Sequence, residues 1–349
     1  MRESLEFGVR SSEFGVQSED KPRFSQQLQE IAGTRSAPRS AACLLSEAVV
    51  ALTVHGISNS HLDVEVLLAH TLGTDRAGLY ARLHDPLPRA QAEAFHRLIQ
   101  RRARHEPLQY ITGVQEFWSL EFTVDPRVLI PRPETEVVVE VALRLLARDL
   151  AERDQSTRPA LHAPRSPAPR PGGLRLLDVG TGSGCLAITL ATELPQAEIW
   201  ATDVSADALA VARENARRHG VAGRIRFLRG DLFTAVARDT DGFHLIVSNP
   251  PYIAHHDLDT LQPEVRNWEP CDALDGGIDG LDFYRCLLSE GLPYLRSGGW
   301  LVMEIGQGQS PEIMRLVRER RDLSEGLCVR DYAGHERVVV AYKVETRVG

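Results

Sequence analysis

The chain has 349 residues, of which 43% are hydrophobic and 25% charged, and its formal net charge is -8 at pH 7. These values suit a folded protein of about two domains, and the acidic balance argues against a protein whose main role is to grip a nucleic-acid backbone. Five cysteines without a Cys-x-x-Cys pair argue against a disulfide framework and a bound metal, and without a long apolar run or a signal peptide we expect a cytoplasmic protein.

The first third of the chain divides into an extension and a helical region. Residues 1–40 carry the near-repeat "EFGVRSS" and "EFGVQSE" and are otherwise rich in Ser, Arg and Gln, so we predict that they are disordered. Residues 41–107 contain three segments with apolar residues at helical spacing, "CLLSEAVVALTVHG", "HLDVEVLLAHTLG" and "RAQAEAFHRLIQRRARHE". Because the first two end in a glycine that suits a helix C-cap, this region predicts a small helical domain.

A hairpin and a long helix are predicted next. Alternation in "FWSLEFTV" indicates a β-hairpin within a linker of residues 108–132. The segment "PETEVVVEVALRLLARDLAERD" predicts a helix, because Pro133 suits a first turn and Glu134 and Glu136 suit its positive end. The Pro- and Arg-rich residues 154–173 predict a surface insert.

From Leu174 onward, strands and helices alternate, which predicts a doubly wound α/β domain with a parallel sheet. Parallel strands are predicted at "LRLLDVG", "AEIWATDVS", "IRFLRGD", "FHLIVSN" and "GGWLVMEIG". A closing antiparallel pair is predicted in "GLCVRDYAGHERVVVAYKV". Ligands of such sheets bind at the carboxyl ends of the strands, so the residues directly after each strand are the candidates for a functional site.

The first three strand ends predict a cofactor that contains a nucleoside. The glycine-rich "DVGTGSG" follows the first strand and leads into a helix, whose N-terminus is positive. Asp203 follows the second strand and suits ribose hydroxyls; its alternative role is to cap the next helix, which Ser205 can do instead. After the third strand, Asp231 suits an adenine amino group, and Leu232 and Phe233 either flank the base or belong to the core. With no phosphate-binding P-loop, S-adenosylmethionine fits these residues.

The fourth strand ends in "NPPY", Asn249 to Tyr252. The Asn249 side-chain oxygen and the Pro250 carbonyl can accept hydrogen bonds from an amide or aromatic amine, a poor nucleophile whose lone pair is delocalised. Proline stiffens this turn, and Tyr252 can pack against a planar acceptor. The alternative is an ordinary strand-ending turn, for which Asn-Pro is common. The position beside a glycine loop favours methyl transfer to nitrogen, aided by alignment and without a strong general base.

At this point the chain resembles a known family. "NPPY" together with "DVGTGSG" is similar to the amino methyltransferases of planar nitrogens, which act either on glutamine side chains or on adenine N6. Four segments closely resemble the peptide chain release factor glutamine methyltransferases, the HemK/PrmC family: "EPLQYITGVQEFWSLEFTVDPRVLIPRPETE", "EPCDALDGGIDGLDFYRCLL", "GGWLVMEIGQGQ" and "DYAGHERVVVAYK". The resemblance covers about residues 42–344, and "RPETE" favours release factors over the related branch that methylates a ribosomal protein.

The resemblance implies a seven-stranded, Rossmann-like class I S-adenosylmethionine-dependent methyltransferase domain over residues 133–349, preceded by a small helical bundle that docks the substrate. It implies N5-methylation of the glutamine in the Gly-Gly-Gln motif of class I release factors, in support of translation termination, by a monomer without direct nucleic-acid contact. The alternatives are an adenine-N6 methyltransferase on nucleic acid, a glutamine methyltransferase on a ribosomal protein, and a binding module without catalysis.

The resemblance also implies the residues of the site. Contacts with S-adenosylmethionine are expected from Gly180, Thr181, Gly182, Ser183, Gly184, Asp203, Asp231, Leu232 and Asn249. Substrate contacts are expected from Asn249, Pro250, Pro251, Tyr252, Arg132, Pro133 and Glu134. The catalytic set is Asn249, Pro250 and Tyr252. Glu304, which ends the fifth strand, is expected to be structural, and His255 and His256 to face solvent rather than bind a metal.

Overall fold

The computed structural model describes residues 39–156, 173–238, 241–324 and 326–344, with only the backbone described for residues 150–156. The predicted extension up to residue 38 and most of the predicted insert lie outside these ranges. Within them, no helix combines the length and the apolar character needed to cross a membrane.

The chain divides into two compact units, and the smaller one is helical. Of the described residues, it comprises residues 39–51 together with Ser60–Arg97, and the larger unit contains the other described residues. The helices of this part of the chain are α1 (Ala41–Val54), α2 (Ser60–Leu72), α3 (Arg76–Ala81) and α4 (Arg89–Arg102). The three segments predicted from helical spacing coincide with α1, α2 and α4. The short α3 was not predicted; it begins where the Asp75 side chain accepts a hydrogen bond from Gly78 N at 2.7 Å. The predicted domain boundaries remain predictions.

A short helix and a hairpin follow α4. Helix α5 (Leu108–Thr112) leads into β1 (Val114–Phe117), which pairs with β2 (Leu120–Thr123) in antiparallel register. The two turn residues, Trp118 and Ser119, have φ angles of 53° and 58°, which are typical of a tight hairpin turn. The alternating segment "FWSLEFTV" therefore supplies the turn and the second strand, while the first strand lies mostly before it.

The main sheet has seven strands in the order β5-β4-β3-β6-β7-β9-β8. The strands β3 to β7 are parallel, whereas β9 is antiparallel to both β7 and β8. Their bounds are β3 (Arg175–Val179), β4 (Glu198–Asp203), β5 (Ile225–Arg229), β6 (Phe243–Ser248), β7 (Leu295–Glu304), β8 (Leu327–Arg330) and β9 (Glu336–Tyr342). This sheet confirms the predicted doubly wound fold, and its strand order reverses between β3 and β6, where ligands of such folds bind.

Helices cover both faces of the sheet. They are α6 (Glu136–Ser156), α7 (Cys185–Glu193), α8 (Ala206–Arg218), α10 (Asp282–Glu290) and α11 (Ser310–Arg318), while the short α9 (Pro263–Arg266) lies in the connection between β6 and α10. Successive residues of a strand point to opposite faces, so Leu245 packs with residues of α6 and α7, whereas Ile246 packs with residues of α10 and α11. The predicted helix at Pro133 begins as one 3-10 turn, Pro133–Thr135, and continues as α6.

Candidate active site

The carboxyl ends of β3, β4, β5 and β6 open into a cleft of about 630 Å³, a volume typical of small-molecule sites. Its walls are formed by the residues that follow these strands, by two segments within residues 127–129 and 270–277, and by the first two residues of α10. The predicted site residues that line it are Gly180, Gly182, Asp203, Asp231, Leu232, Asn249, Pro250 and Pro251. The structure therefore brings the predicted cofactor residues and most of the "NPPY" loop to one cavity.

The glycine loop turns sharply where β3 ends. Gly180 N and Thr181 N both donate to the Thr202 carbonyl on β4 at 2.9 Å. Gly180 and Gly182 have φ angles of 75° and 55°, which favour glycine. A Cβ on either residue would meet no protein atom within 4 Å, so this part of the cleft stays open to a ligand.

The other loop residues face the protein interior. Thr181 and Ser183 are buried, and a Cβ on Gly184 would lie 2.8 Å from Ile188 Cδ1 and 3.2 Å from Ala212 Cβ. The third glycine therefore allows α7 and α8 to pack closely. Thr181, Ser183 and Gly184 were predicted to contact the cofactor, but the structure does not place them on the wall of the cleft; their cofactor contacts remain predictions.

Asp178, a buried acid, directly precedes the glycine loop in the sequence. Asp178 Oδ2 accepts hydrogen bonds from the Thr181 hydroxyl at 2.6 Å and from Ala187 N at 3.2 Å. Its other oxygen, Oδ1, has no hydrogen-bond partner among the described residues. Burial raises the pKa of Asp178 to about 7, against the opposing effect of the two hydrogen bonds. The residue therefore fixes the loop to the start of α7.

Asp203 connects the glycine loop to the end of β4. Its Oδ2 accepts from Gly182 N at 2.8 Å, and its Oδ1 accepts from Ser205 N at 2.9 Å. Ser205 caps α8 by accepting from Ala208 N at 3.1 Å, so the capping role falls to Ser205 and not to Asp203. Burial raises the pKa of Asp203. Each of its carboxylate oxygens keeps capacity for a second hydrogen bond, as binding of a hydroxyl pair requires.

The residues after β5 contribute an exposed acid, Asp231, and an apolar side chain, that of Leu232, to the wall of the cleft. Gly230 N donates to the Asp203 carbonyl at 3.0 Å, and Asp231 and Leu232 follow on the lining of the cleft. Phe233 is 2% exposed and stacks on Tyr294 with ring centroids 5.1 Å apart. Phe233 therefore belongs to the core, and of the two apolar residues only Leu232 faces the cleft.

Asn249 is positioned at the end of β6. The Ser248 hydroxyl donates to the Val179 carbonyl at 2.7 Å and holds the ends of β6 and β3 together. The next side chain, that of Asn249, donates through Nδ2 to the Thr135 hydroxyl at 3.2 Å. Because an amide has one nitrogen and one oxygen, this contact leaves Asn249 Oδ1 as the hydrogen-bond acceptor of the side chain.

The rest of the "NPPY" loop is fixed by a glutamine that the sequence did not single out. Gln309 Nε2 donates to the Tyr252 carbonyl at 2.9 Å and to the Gly280 carbonyl at 3.2 Å, and its Oε1 accepts from Gly306 N at 2.9 Å. A Cβ on Gly276 would lie 2.8 Å from Tyr252 Cα. The segment around Gly276 and Gly280 therefore packs directly against the backbone of the loop.

Four predicted substrate residues do not line the cleft: Arg132, Pro133, Glu134 and Tyr252. Arg132 forms an ion pair of 2.5 Å with the buried Glu269, whose other oxygen accepts from Ile130 N at 3.3 Å. Pro133 and Glu134 are exposed. Tyr252 packs against the apolar cluster of β6 and β7, and burial raises its pKa to about 12. Their contacts with a substrate remain predictions.

Some residues that line the cleft do not follow a strand of the sheet, so the strand ends could not predict them. Val128 lines it, and its carbonyl accepts from the buried Tyr110 hydroxyl at 2.6 Å, which ties this loop to α5. Asp272 and Phe283 also line it, from segments far along the chain. His255 and His256 are exposed, as predicted, and His255 Nδ1 lies 2.9 Å from Asp275 Oδ2.

The strand order, the glycine loop and the asparagine at the end of the fourth parallel strand define a class I methyltransferase. Residues 23–113 match the family model of the PrmC N-terminal domain, and residues 166–264 match that of the methyltransferase small domain. The chain is 43% identical to the release factor glutamine methyltransferase of Geobacter sulfurreducens, over 82% of this chain and 91% of that protein.

It is also 43% identical to the enzyme of the same name from Moorella thermoacetica, over 86% of this chain and 98% of that protein. The chain belongs to the release factor glutamine methyltransferase family. Among solved structures, the hMettl16 catalytic domain in complex with the MAT2A 3'UTR hairpin 6 is similar, with a TM-score of 0.50, 16% identity and coverage of 71% of this chain and 83% of that chain. This likeness concerns the fold alone.

Class I methyltransferases use S-adenosylmethionine, and the cleft fits this cofactor. Asp203 and Asp231 supply acceptors for hydroxyl and amino groups at two adjacent strand ends, and Leu232 supplies an apolar surface. Gly180 and Gly182 leave the space beside them open.

Proposed function

We propose that this enzyme transfers a methyl group from S-adenosylmethionine to the side-chain amide nitrogen, N5, of the glutamine in the Gly-Gly-Gln motif of class I release factors. The observation that carries the proposal is the placement of Asn249. It lines the same cleft as Asp203 and the glycine loop, and its Nδ2 is engaged by Thr135. Its oxygen is therefore the group that meets an incoming amide.

The chain's own residues account for cofactor binding. S-adenosylmethionine supplies, when bound, an electrophilic methyl group on a sulfonium. We assign Asp203 to the ribose hydroxyls, Asp231 to the adenine amino group and Leu232 to the face of the base. The open space beside Gly180 and Gly182 is assigned to the methionine part.

The acceptor side must overcome the low nucleophilicity of an amide nitrogen. Asn249 Oδ1 and the Pro250 carbonyl provide two acceptors for the two N–H groups of a glutamine side chain. Because Pro250 and Pro251 have fixed φ angles and no N–H, the carbonyl direction is set before the substrate binds. Two preorganised acceptors align the nitrogen and favour its tetrahedral geometry, and effects of this kind contribute about 10²- to 10³-fold for a single contact.

Removal of the proton from the glutamine nitrogen requires less from the protein than activation of that nitrogen does. The nitrogen becomes acidic as it gains the methyl group, so its proton can pass to an acceptor already hydrogen bonded to it and then to water. Tyr252 is not suited to the role of general base, because burial raises the pKa of its hydroxyl to about 12.

Mass spectrometry of a release factor tests the proposal. The full chain is incubated with a bacterial class I release factor and S-adenosylmethionine, and the peptide that contains Gly-Gly-Gln is analysed. We expect a mass gain of one methyl group on the glutamine, lost in Asn249→Ala and retained in His256→Ala, a matched control on an exposed part of the same loop region. Methyl transfer instead to nucleic acid or to a ribosomal protein would overturn it.

A further inference from the structure

Glu304 is a buried acid that the reaction described above does not use. It is the last residue of β7 and 1% exposed. Ser248 of β6 is paired with Met303 of β7, so Asn249 and Glu304 occupy equivalent positions, one residue beyond the last pair of two neighbouring strands. Glu304 Oε2 has no hydrogen-bond partner among the described residues. A buried acid with an unmade hydrogen bond is costly to a fold, which calls for a role beyond packing.

Thr135 connects Glu304 to Asn249. Thr135 is 1% exposed and ends the 3-10 turn that leads into α6. Its oxygen accepts from Asn249 Nδ2 at 3.2 Å, and its side chain is close enough to the Glu304 carboxyl to lower the pKa of that group. A hydroxyl has one hydrogen to donate. Since Thr135 accepts from Asn249, its own hydrogen is available to the nearby Glu304 carboxyl, so the three side chains can form a chain of hydrogen bonds with one direction.

We propose that Thr135 and Glu304 are positioning residues that hold the Asn249 amide with its oxygen toward the acceptor nitrogen of the substrate. The inference rests on the proposed function, because it assigns that oxygen to the substrate amide. An asparagine side chain rotated by half a turn occupies nearly the same volume. In that rotamer it would present an N–H group to the N–H groups of the substrate, and two donors cannot bond to each other.

The direction of the chain depends on the ionisation of Glu304. A carboxylate only accepts hydrogen bonds, whereas a carboxylic acid can also donate to Thr135 and remove the preference for the productive amide orientation. Burial raises the pKa of Glu304 to about 7, although Thr135 and Arg337 act to lower it. The Glu304 carboxyl interacts electrostatically with the following titratable or charged groups: Arg132, Glu134, Cys185, Tyr252, Tyr284 and Arg337.

The test compares Thr135→Val, which removes the hydroxyl at nearly constant volume, with Thr135→Ser, which keeps it. Methyl transfer to the release factor is measured with the full chain, and affinity for S-adenosylmethionine is measured by calorimetry. We expect Thr135→Val to lower kcat by about 10- to 100-fold, as loss of a supporting hydrogen bond does at other sites. KM for the release factor and cofactor affinity should change much less, and Thr135→Ser should recover most of the rate.

Glu304→Gln tests the role of the charge. Since Gln cannot ionise, we expect the rise of kcat with pH through neutrality to be present in the wild type and flattened in this variant. If Thr135→Val does not fold, this pH profile and the Thr135→Ser rate decide the outcome.

Three results would overturn the proposal: wild-type kcat in Thr135→Val, a Thr135→Ser variant as impaired as Thr135→Val, or an unchanged pH profile in Glu304→Gln. Absence of glutamine methylation by the wild-type enzyme would instead refute the proposed function, so the two failures are distinguishable.

Discussion

The two sides of the cleft are organised by different kinds of contact. On the side of β3, β4 and β5, backbone N–H groups make most of the bonds: Gly180 and Thr181 donate to Thr202, and Gly182 donates to Asp203. On the side of β6 and β7, side chains from distant segments position the loop, as Thr135 does for Asn249 and Gln309 does for Tyr252. The cofactor side is therefore encoded by local sequence, and the acceptor side by tertiary contacts.

If the two sides act separately, Asn249→Ala should impair only methyl transfer. We expect kcat to fall by about 10²- to 10³-fold, because one preorganised acceptor is lost. Cofactor affinity, measured by calorimetry, should change by less than about tenfold, since Asp203 and the glycine loop are intact. A fall in affinity as large as the fall in kcat would show that the two sides cannot be separated.

The reciprocal change is Asp203→Asn on the cofactor side. The new amide places an N–H group against Gly182 N or Ser205 N, both of which donate to Asp203. We expect the dissociation constant for S-adenosylmethionine to rise by about 10- to 100-fold, equivalent to about 1.4–3 kcal/mol. At saturating cofactor, kcat should stay near the wild-type value, and a rate as low as that of Asn249→Ala would contradict the comparison.

Gln309→Leu tests the tertiary contacts of the acceptor side. It leaves the Tyr252 carbonyl, the Gly280 carbonyl and Gly306 N without their side-chain partner. We expect the free energy of unfolding to fall by about 1–3 kcal/mol, the cost of buried groups that lose their hydrogen bonds. Denaturant unfolding measures this. Gln309→Glu keeps the acceptor for Gly306 N but sets a carboxylate oxygen against the Tyr252 and Gly280 carbonyls, so it should cost at least as much as Gln309→Leu. A smaller cost would contradict the assignment of the two donor contacts.

A pH-dependent effect on stability is expected from Asp178 on the cofactor side. Its pKa is raised by burial from 3.8 to about 7 in the folded protein, so between these values the folded state binds more protons than the unfolded state. The Asp178 contribution to stability is then complete at low pH and is lost as pH rises toward 7. The Tm of Asp178→Asn should therefore rise relative to that of the wild type as pH increases from about 4 to about 7. A difference in Tm that does not vary with pH would contradict this.

The same contrast explains what could be predicted from the sequence. Asp203, Asp231 and Asn249 each follow a strand of a doubly wound sheet directly, so the topology alone brings them to one edge. Thr135 and Gln309 follow no such rule, because Thr135 meets a residue 114 positions away and Gln309 meets one 57 positions away. Arg132 pairs with Glu269, 137 positions along the chain, and this partner could not be predicted from local patterns. Contacts at such separations are set by packing, which periodicity does not specify.

The bonds of Gln309 limit how the "NPPY" loop can be transplanted. The backbone of the loop needs Gln309, after β7, as a hydrogen-bond donor, and it needs glycines at positions 276 and 280 because they pack closely against Tyr252. If only the four residues of the motif were grafted onto another parallel sheet, the asparagine would be present but the contacts that orient it would be missing. The portable unit consists of four separate segments, which are the loop itself, the glycines at positions 276 and 280, Gln309 and Thr135, and a chimaeric enzyme should exchange all four together.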